Sequence, residues 1–336
     1  MQRSQKTILL SAGVATSAIA VALLLYGSFR GCATAHASPV PDLLTALPAG
    51  APTLIYLDLA AVRASSFYQH KPANDALTLP NGDYTDFVRS TGFDFEKDLD
   101  KVVVASWPTA SEEHGKTVVI ADGRFDRAKI RDYAMRKGKL DHQQGHDVFL
   151  FPANDRTGPN SVSFLDDHRI AIVDGSGIAS LFTGRSDATA ADPARERAAH
   201  LDGAAMFLIS RVPPLPDKFG PGGAQSEQLA NLARSVQWIT LAARPEGDDL
   251  RISLEGECDS STDALELKSA LEILRMFGRA GLDSPKTRQS MDPAALATLQ
   301  NLLSGAEVTQ AAERVRILVE ITPDIWHLGG PANPQH

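Results

Sequence analysis

The stretch KVVVASWPTASEEHGKTVVIA, residues 101–121, decides the fold. Lys101-Val102-Val103-Val104-Ala105-Ser106 and Thr117-Val118-Val119-Ile120-Ala121 are rich in β-branched residues, which suit a pleated surface. The polar loop between them, Pro108 to Lys116, is too short for a parallel crossover, so the two runs read as an antiparallel hairpin.

Working outward, Thr53-Leu54-Ile55-Tyr56-Leu57-Asp58-Leu59 is a strand run followed by a helical stretch from Ala60 to Tyr68. A second helical piece, Tyr84 to Ser90, stops at Gly92. Beyond the hairpin, Asp126 is an N-cap for a helix through Ile130, Tyr133 and Ala134, and Gly138 ends it. Val148-Phe149-Leu150-Phe151 then closes a β-α-β-β-α-β order.

The same order begins again at Ala204-Ala205-Met206-Phe207-Leu208-Ile209-Ser210. A helix is expected over Ser226 to Val236, then a hairpin of Val236–Ala242 and Leu250–Leu254 around Glu246-Gly247-Asp248-Asp249. Ser260 and Asp263 have capping-box spacing ahead of a helix in which Leu267, Leu271, Leu274 and Phe277 recur every three or four residues. Asp292 and Pro293 open another helix that stops at Gly305, and Arg314–Ile321 is the last strand.

The fold class expected is therefore α+β, as two tandem ferredoxin-like units with antiparallel sheets, preceded by one transmembrane helix. The divisions expected are a membrane or signal segment over 1–37, a first unit over 38–182, a linker over 183–202, a second unit over 203–322 and a flexible tail over 323–336. Within the first unit, Ser161–Leu165 and Arg169–Val173 form an additional hairpin turned at Asp166-Asp167-His168, and Val212-Pro213-Pro214-Leu215-Pro216 is a surface loop of the second.

Two stretches, LPAGAPTLIYLD over 47–58 and TGFDFEKDLDKVVVA over 91–105, resemble parts of uncharacterised bacterial envelope proteins. The resemblance covers residues 40 to 180. It implies one N-terminal membrane segment and a repeated α+β ectodomain, and supplies no catalytic residue.

The N-terminus gives the compartment. Arg3 and Lys6 precede an uncharged run from Thr7 to Phe29, and no acid appears before Asp42. As a helix this run spans roughly 35 Å at about 1.5 Å per residue, enough for a hydrocarbon core of about 30 Å. The expectation is a single-pass, N-in anchor with everything after it extracytoplasmic, in the periplasm. Cleavage after Ala37, at Ala35-His36-Ala37, and lipidation at Cys32 are the alternatives. Of the 33 basic residues all but Arg3, Lys6 and Arg30 follow residue 41, as do all 41 acids, so 30 bases against 41 acids leave a net charge of about −11. That balance argues against nucleic acid as a partner. With two cysteines, Cys32 and Cys258, no disulfide framework is expected.

Candidate chemistry is sparse. Gly115-Lys116-Thr117 lacks the first glycine of a phosphate-binding loop, because Ala110 stands there, and leads into a strand. Gly175-Ser176-Gly177 has Ser180 where a dinucleotide fingerprint needs its third glycine. His142 and His146 have metal-pair spacing, with Asp141 and Asp147 beside them, yet the region from Gly138 to Asp147 reads as a loop. The run Asp94, Glu96, Asp98, Asp100 has Leu99 and Ala105 where a calcium loop needs glycine and glutamate. Cys258 lies where a strand feeds a helix, with no histidine placed to activate it. No catalytic or cofactor-binding residue is assigned, and His142, His146, Asp94 and Asp98 are the nearest to metal ligands. The function expected is a non-catalytic, membrane-anchored protein that binds or scaffolds an envelope partner; the alternative is an envelope hydrolase, metal-assisted through His142 and His146.

Overall fold

The computed structural model describes residues 41–71, 82–107, 116–153, 159–175, 177–182, 192–201, 203–213 and 234–327. Twelve strands make one antiparallel sheet: β1 (Thr53–Asp58), β2 (Leu99–Trp107), β3 (Lys116–Gly123), β4 (Lys139–Gln143), β5 (His146–Phe151), β6 (Asn160–Phe164), β7 (Arg169–Asp174), β8 (Met206–Arg211), β9 (Val236–Glu246), β10 (Asp249–Cys258), β11 (Glu307–Ala311) and β12 (Arg314–Ile321). Their spatial order is β11-β12-β10-β9-β8-β1-β2-β3-β7-β6-β5-β4.

This corrects the expectation of two separate ferredoxin-like units. β1 pairs with β2 on one side and with β8 on the other, Tyr56 lying opposite both Val103 and Phe207. Each half starts with three strands in a meander and runs through a helical segment. It then turns back antiparallel, so that its last strand, β7 or β12, lies beside the third strand of its meander. Strands that only meander and return never create the parallel pairs of a split βαβ unit. The transmembrane helix is corrected as well. Among the described residues no helix is long and apolar enough to cross a membrane, and residues 7–29, Cys32 and Ala37 lie outside them. Residues 226–233 of the expected helix also lie outside, and Val236 opens β9.

Helices cover both faces. The eleven described α-helices are α1 (Pro41–Thr45), α2 (Leu59–Ala64), α3 (Ser66–Gln69), α4 (Gly82–Thr91), α5 (Phe95–Asp98), α6 (Arg127–Lys137), α7 (Ala179–Phe182), α8 (Pro193–Ala198), α9 (Ser261–Leu282), α10 (Pro285–Ser290) and α11 (Pro293–Gly305). Alternation along the strands sends Leu54, Tyr56, Val103, Ile120 and Ile209 to one face, where α1, the turn after it and α8 cover them with Leu43, Leu44, Leu47, Ala194 and Ala198. Ile55, Leu57, Val102, Ala121 and Ala243 face the other way, against Leu59, Phe67, Tyr68 and Ile130 of α2, α3 and α6.

The halves are also tied through the C-terminus. Trp326, in a 3₁₀ turn over Pro323–His327, is buried 5.1 Å from the Phe67 ring and donates its indole N–H to Phe67 O at 3.2 Å. Arg197 of α8 stacks 4.2 Å over Trp238 of β9 and donates twice to Glu257 Oε2. Asp126, Ser260 and Asp292 cap α6, α9 and α11 through their side chains.

Candidate functional site

Register builds the first polar cluster. Asp58 lies opposite Lys101, Lys101 opposite Asp122, and Asp122 opposite Arg169, a row of alternating charge across β1, β2, β3 and β7. Asp58, 3% exposed, accepts from Tyr56 Oη at 3.2 Å and from the Ala61 N–H at 2.8 Å, so it also caps α2. Burial, then the Asp58 charge, raises the Tyr56 hydroxyl well above its ordinary pKa. Burial also raises Asp122, and the Arg169 guanidinium opposes that shift. Arg63 reaches in from α2, donates to Leu99 O and pairs with Asp100 at 2.6 Å.

The acidic run 94–100 is taken up at the rim of this cluster. Asp94 caps α5 and pairs with Lys97; Asp98 accepts from the Asp94 N–H and, like Asp100, pairs with Arg124. Asp94, Asp98 and Asp100 thus cap, pair and tie elements together.

His142 and His146 sit on β4 and β5, where the sequence reads as a loop. Gln144 and Gly145 turn the hairpin at φ +50° and +84°, the left-handed pair that a two-residue type I′ turn requires. Cross-strand partners share a face, so His142 goes with Asp147, 2.9 Å away, and His146 goes with Gln143. The two histidines therefore point to opposite faces, and the His146 ring stacks on Phe182 at 4.1 Å. Asp141 is spent on Gln143 and the His142 N–H, which hold its carboxyl below the ordinary range. Among the described residues no three His, Cys, Asp or Glu side chains are grouped to hold a metal.

Cys258 ends β10 beside the N-cap of α9 and is 5% exposed. Burial, with Asp263 adding to it, pushes the thiol pKa up, away from the thiolate that nucleophilic chemistry uses. Lys116 and Thr117 lie inside β3, the Lys116 ammonium 5.5 Å over Trp107.

One cleft, of about 320 Å³, opens between the loop after α8 and the sheet face bearing Arg244, Arg251 and Arg316. His200, Glu246 and Ser253 also line it, with Leu201, Ala204, Ala242, Ala243 and Leu318 as its apolar part. Arg251 pairs with Glu246 and Glu320, and Arg316 with Glu255, so this wall is a ladder of matched charges.

The remaining feature is apolar. Helix α9 seats Ala264, Leu267 and Leu271 against Val236, Cys258 and Val315. Its other side presents Leu265, Ile273, Met276 and Phe277, exposed by 54%, 51%, 59% and 65%, while Leu274, one heptad on from Leu267, is 49% exposed at the edge of the inward side. Phe277 therefore lies off the inward stripe of Leu267 and Leu271, and Leu274, though in line with Leu267, is left largely uncovered. The clue in the sequence is that α9 is apolar most of the way round near its middle, Ile273-Leu274-Arg275-Met276-Phe277, and such a helix has more apolar surface than one sheet can cover.

These features define an antiparallel α+β protein on a single twelve-stranded sheet, with a charge-matched cleft and one apolar helix face outward. No family model and no curated protein matches the chain. Among solved structures it is similar to crystal form III of TP0453, at 13% identity and a TM-score of 0.47, covering 87% of this chain and 98% of that one. Crystal form IV of TP0453 gives 11% identity and a TM-score of 0.45, over 84% and 93%.

Proposed function

We propose that this chain is a non-catalytic, extracytoplasmic protein that binds or scaffolds an envelope partner through the outer face of α9. The observation that carries the reading is the outward row Leu265, Ile273, Met276 and Phe277, all more than half exposed. Large side chains grouped on one exposed face mark an interaction surface, whereas apolar residues scattered singly do not. Removal of Phe277 or Met276 from water by a partner would supply the burial that the fold itself does not.

Export rests on the uncharged run 7–29 behind Arg3 and Lys6. The non-catalytic half rests on how the candidate groups are engaged: Asp58 caps and pairs, the two histidines diverge, and the Cys258 thiol is held protonated. The test is capture from envelope extracts with the wild-type chain and with the Ile273→Asp, Phe277→Asp double variant. A protein retained by the first and lost by the second supports the reading. Equal retention by both refutes the α9 surface.

A further inference from the structure

We infer that the outer face of α9 is a self-association surface, taking the α9 of a second copy of this chain in antiparallel orientation. This rests on the reading of α9 as a binding surface and names its occupant.

Three properties of the helix favour a second copy. The first is charge order. Before the apolar centre Ile273–Phe277 stand Asp263, Glu266 and Glu272 against Lys268, which pairs with Glu272, and after it Arg279, Lys286 and Arg288 against Asp283, which pairs with Arg288, so the two ends keep opposite net charge. A parallel pair would stack like charge on like, while an antiparallel pair sets the acidic end of each copy beside the basic end of the other, and the helix dipoles oppose as well. The second is shape. The bulky residues Ile273, Met276 and Phe277 are flanked on their own side by small ones, Ser269 and Ala270 before, Ala280 and Gly281 after. A two-fold axis near residue 275 lays the small residues of one copy beside those of the other at both ends, letting the helices approach while the bulky centres interdigitate. The third is support. Arg275 donates to Ala306 O, and Gly278 lets α11 approach until a Cβ there would lie 3.2 Å from Leu303. The helix is thus held from behind while its front faces outward.

A two-fold contact is self-complementary, so one surface serves both partners. About four turns of helix make a small interface, which places the association on the order of micromolar.

Sedimentation of the full chain tests this across roughly 1 to 100 μM, a range bracketing the expected dissociation constant. The expected result is a mass that doubles with concentration, and an Ile273→Asp, Phe277→Asp variant that stays monomeric, its dissociation constant raised at least tenfold. In a Cys32→Ser background, Ile273→Cys should cross-link between copies and Thr262→Cys should not, because only residues near the two-fold meet their own counterparts. A wild-type chain monomeric throughout, or a doubling that the double variant retains, overturns the inference. So does cross-linking at Thr262, which would mean parallel pairing. If the chain stays monomeric yet α9 still captures another envelope protein or binds lipid vesicles, the self-association is refuted. Protein capture would leave the binding reading standing, and vesicle binding alone would not.

Discussion

Replacing Phe207 with alanine should destabilise the whole molecule in a single step. Phe207 is 2% exposed in β8 and stacks on Tyr56 of β1 with ring centroids 5.3 Å apart. It thus sits on the seam between the halves. A buried phenylalanine removes roughly 150–250 Å² from water, worth about 4–6 kcal/mol at about 25 cal/mol per Å². Measured losses for such truncations are about 3–5 kcal/mol, because the surroundings partly relax. We expect a loss of about 4 kcal/mol, which includes the Tyr56 contact. Guanidinium unfolding would be followed by far-ultraviolet circular dichroism and by tryptophan fluorescence. Trp107 lies in β2 of the first half, Trp238 in β9 of the second, and Trp326 bridges them, so fluorescence reports on all parts of the sheet. One coincident transition, shifted as a unit, is the expected outcome. Two transitions of which only one moves, or a loss below about 1 kcal/mol, would refute the continuous sheet.

Tyr56→Phe should cost about 1 kcal/mol at neutral pH by removing a hydrogen bond to buried Asp58. Because the folded hydroxyl pKa is raised, wild-type stability is fully present below the ordinary tyrosine value of 10.0 and falls as pH rises beyond it; the gap to Tyr56→Phe should therefore shrink above about pH 10 in urea titrations. Cys258, buried with a raised pKa, should resist alkylation at pH 8 in the native protein and react on unfolding, which mass spectrometry reads directly. On α9 the two sides should differ: Leu271→Ala, packed against the Val236 cluster, should cost about 2 kcal/mol, and Phe277→Ala no more than about 0.5 kcal/mol in the monomer, both from denaturant melts.

The strands with β-branched runs were legible along the chain, because pattern and propensity agree there, as in Lys101–Ser106 and Thr117–Ala121. β4 and β11 were not, since KLDHQ and EVTQA are short, polar edge strands with little apolar surface to show. Their turns carry the only hint, at Gln144-Gly145 and at Ala312, which takes φ +51°. How the two halves join was written more faintly. In Thr53–Asp58 five consecutive residues are buried, the mark of a central strand covered on both faces, and that unbroken run argues for a neighbour on either side. Periodicity alone cannot name a neighbour 150 residues away. The same limit applies to α9, whose spacing identifies a helix and leaves open which of two apolar sides meets the sheet.

The pairing of β1 with β8 sets the order in which this chain can finish folding. β1 can zip onto β2 early, but its other edge waits for residues 206–210, which leave the ribosome roughly 7–30 s after β1 at about 5–20 residues per second. Throughout that interval Leu54 and Tyr56 lack Phe207 and Ile209, and a row of unpaired amides and carbonyls stands open beside them. A fold that meets its own first strand so late is slow by topology, and its nascent form is the state most in need of a chaperone.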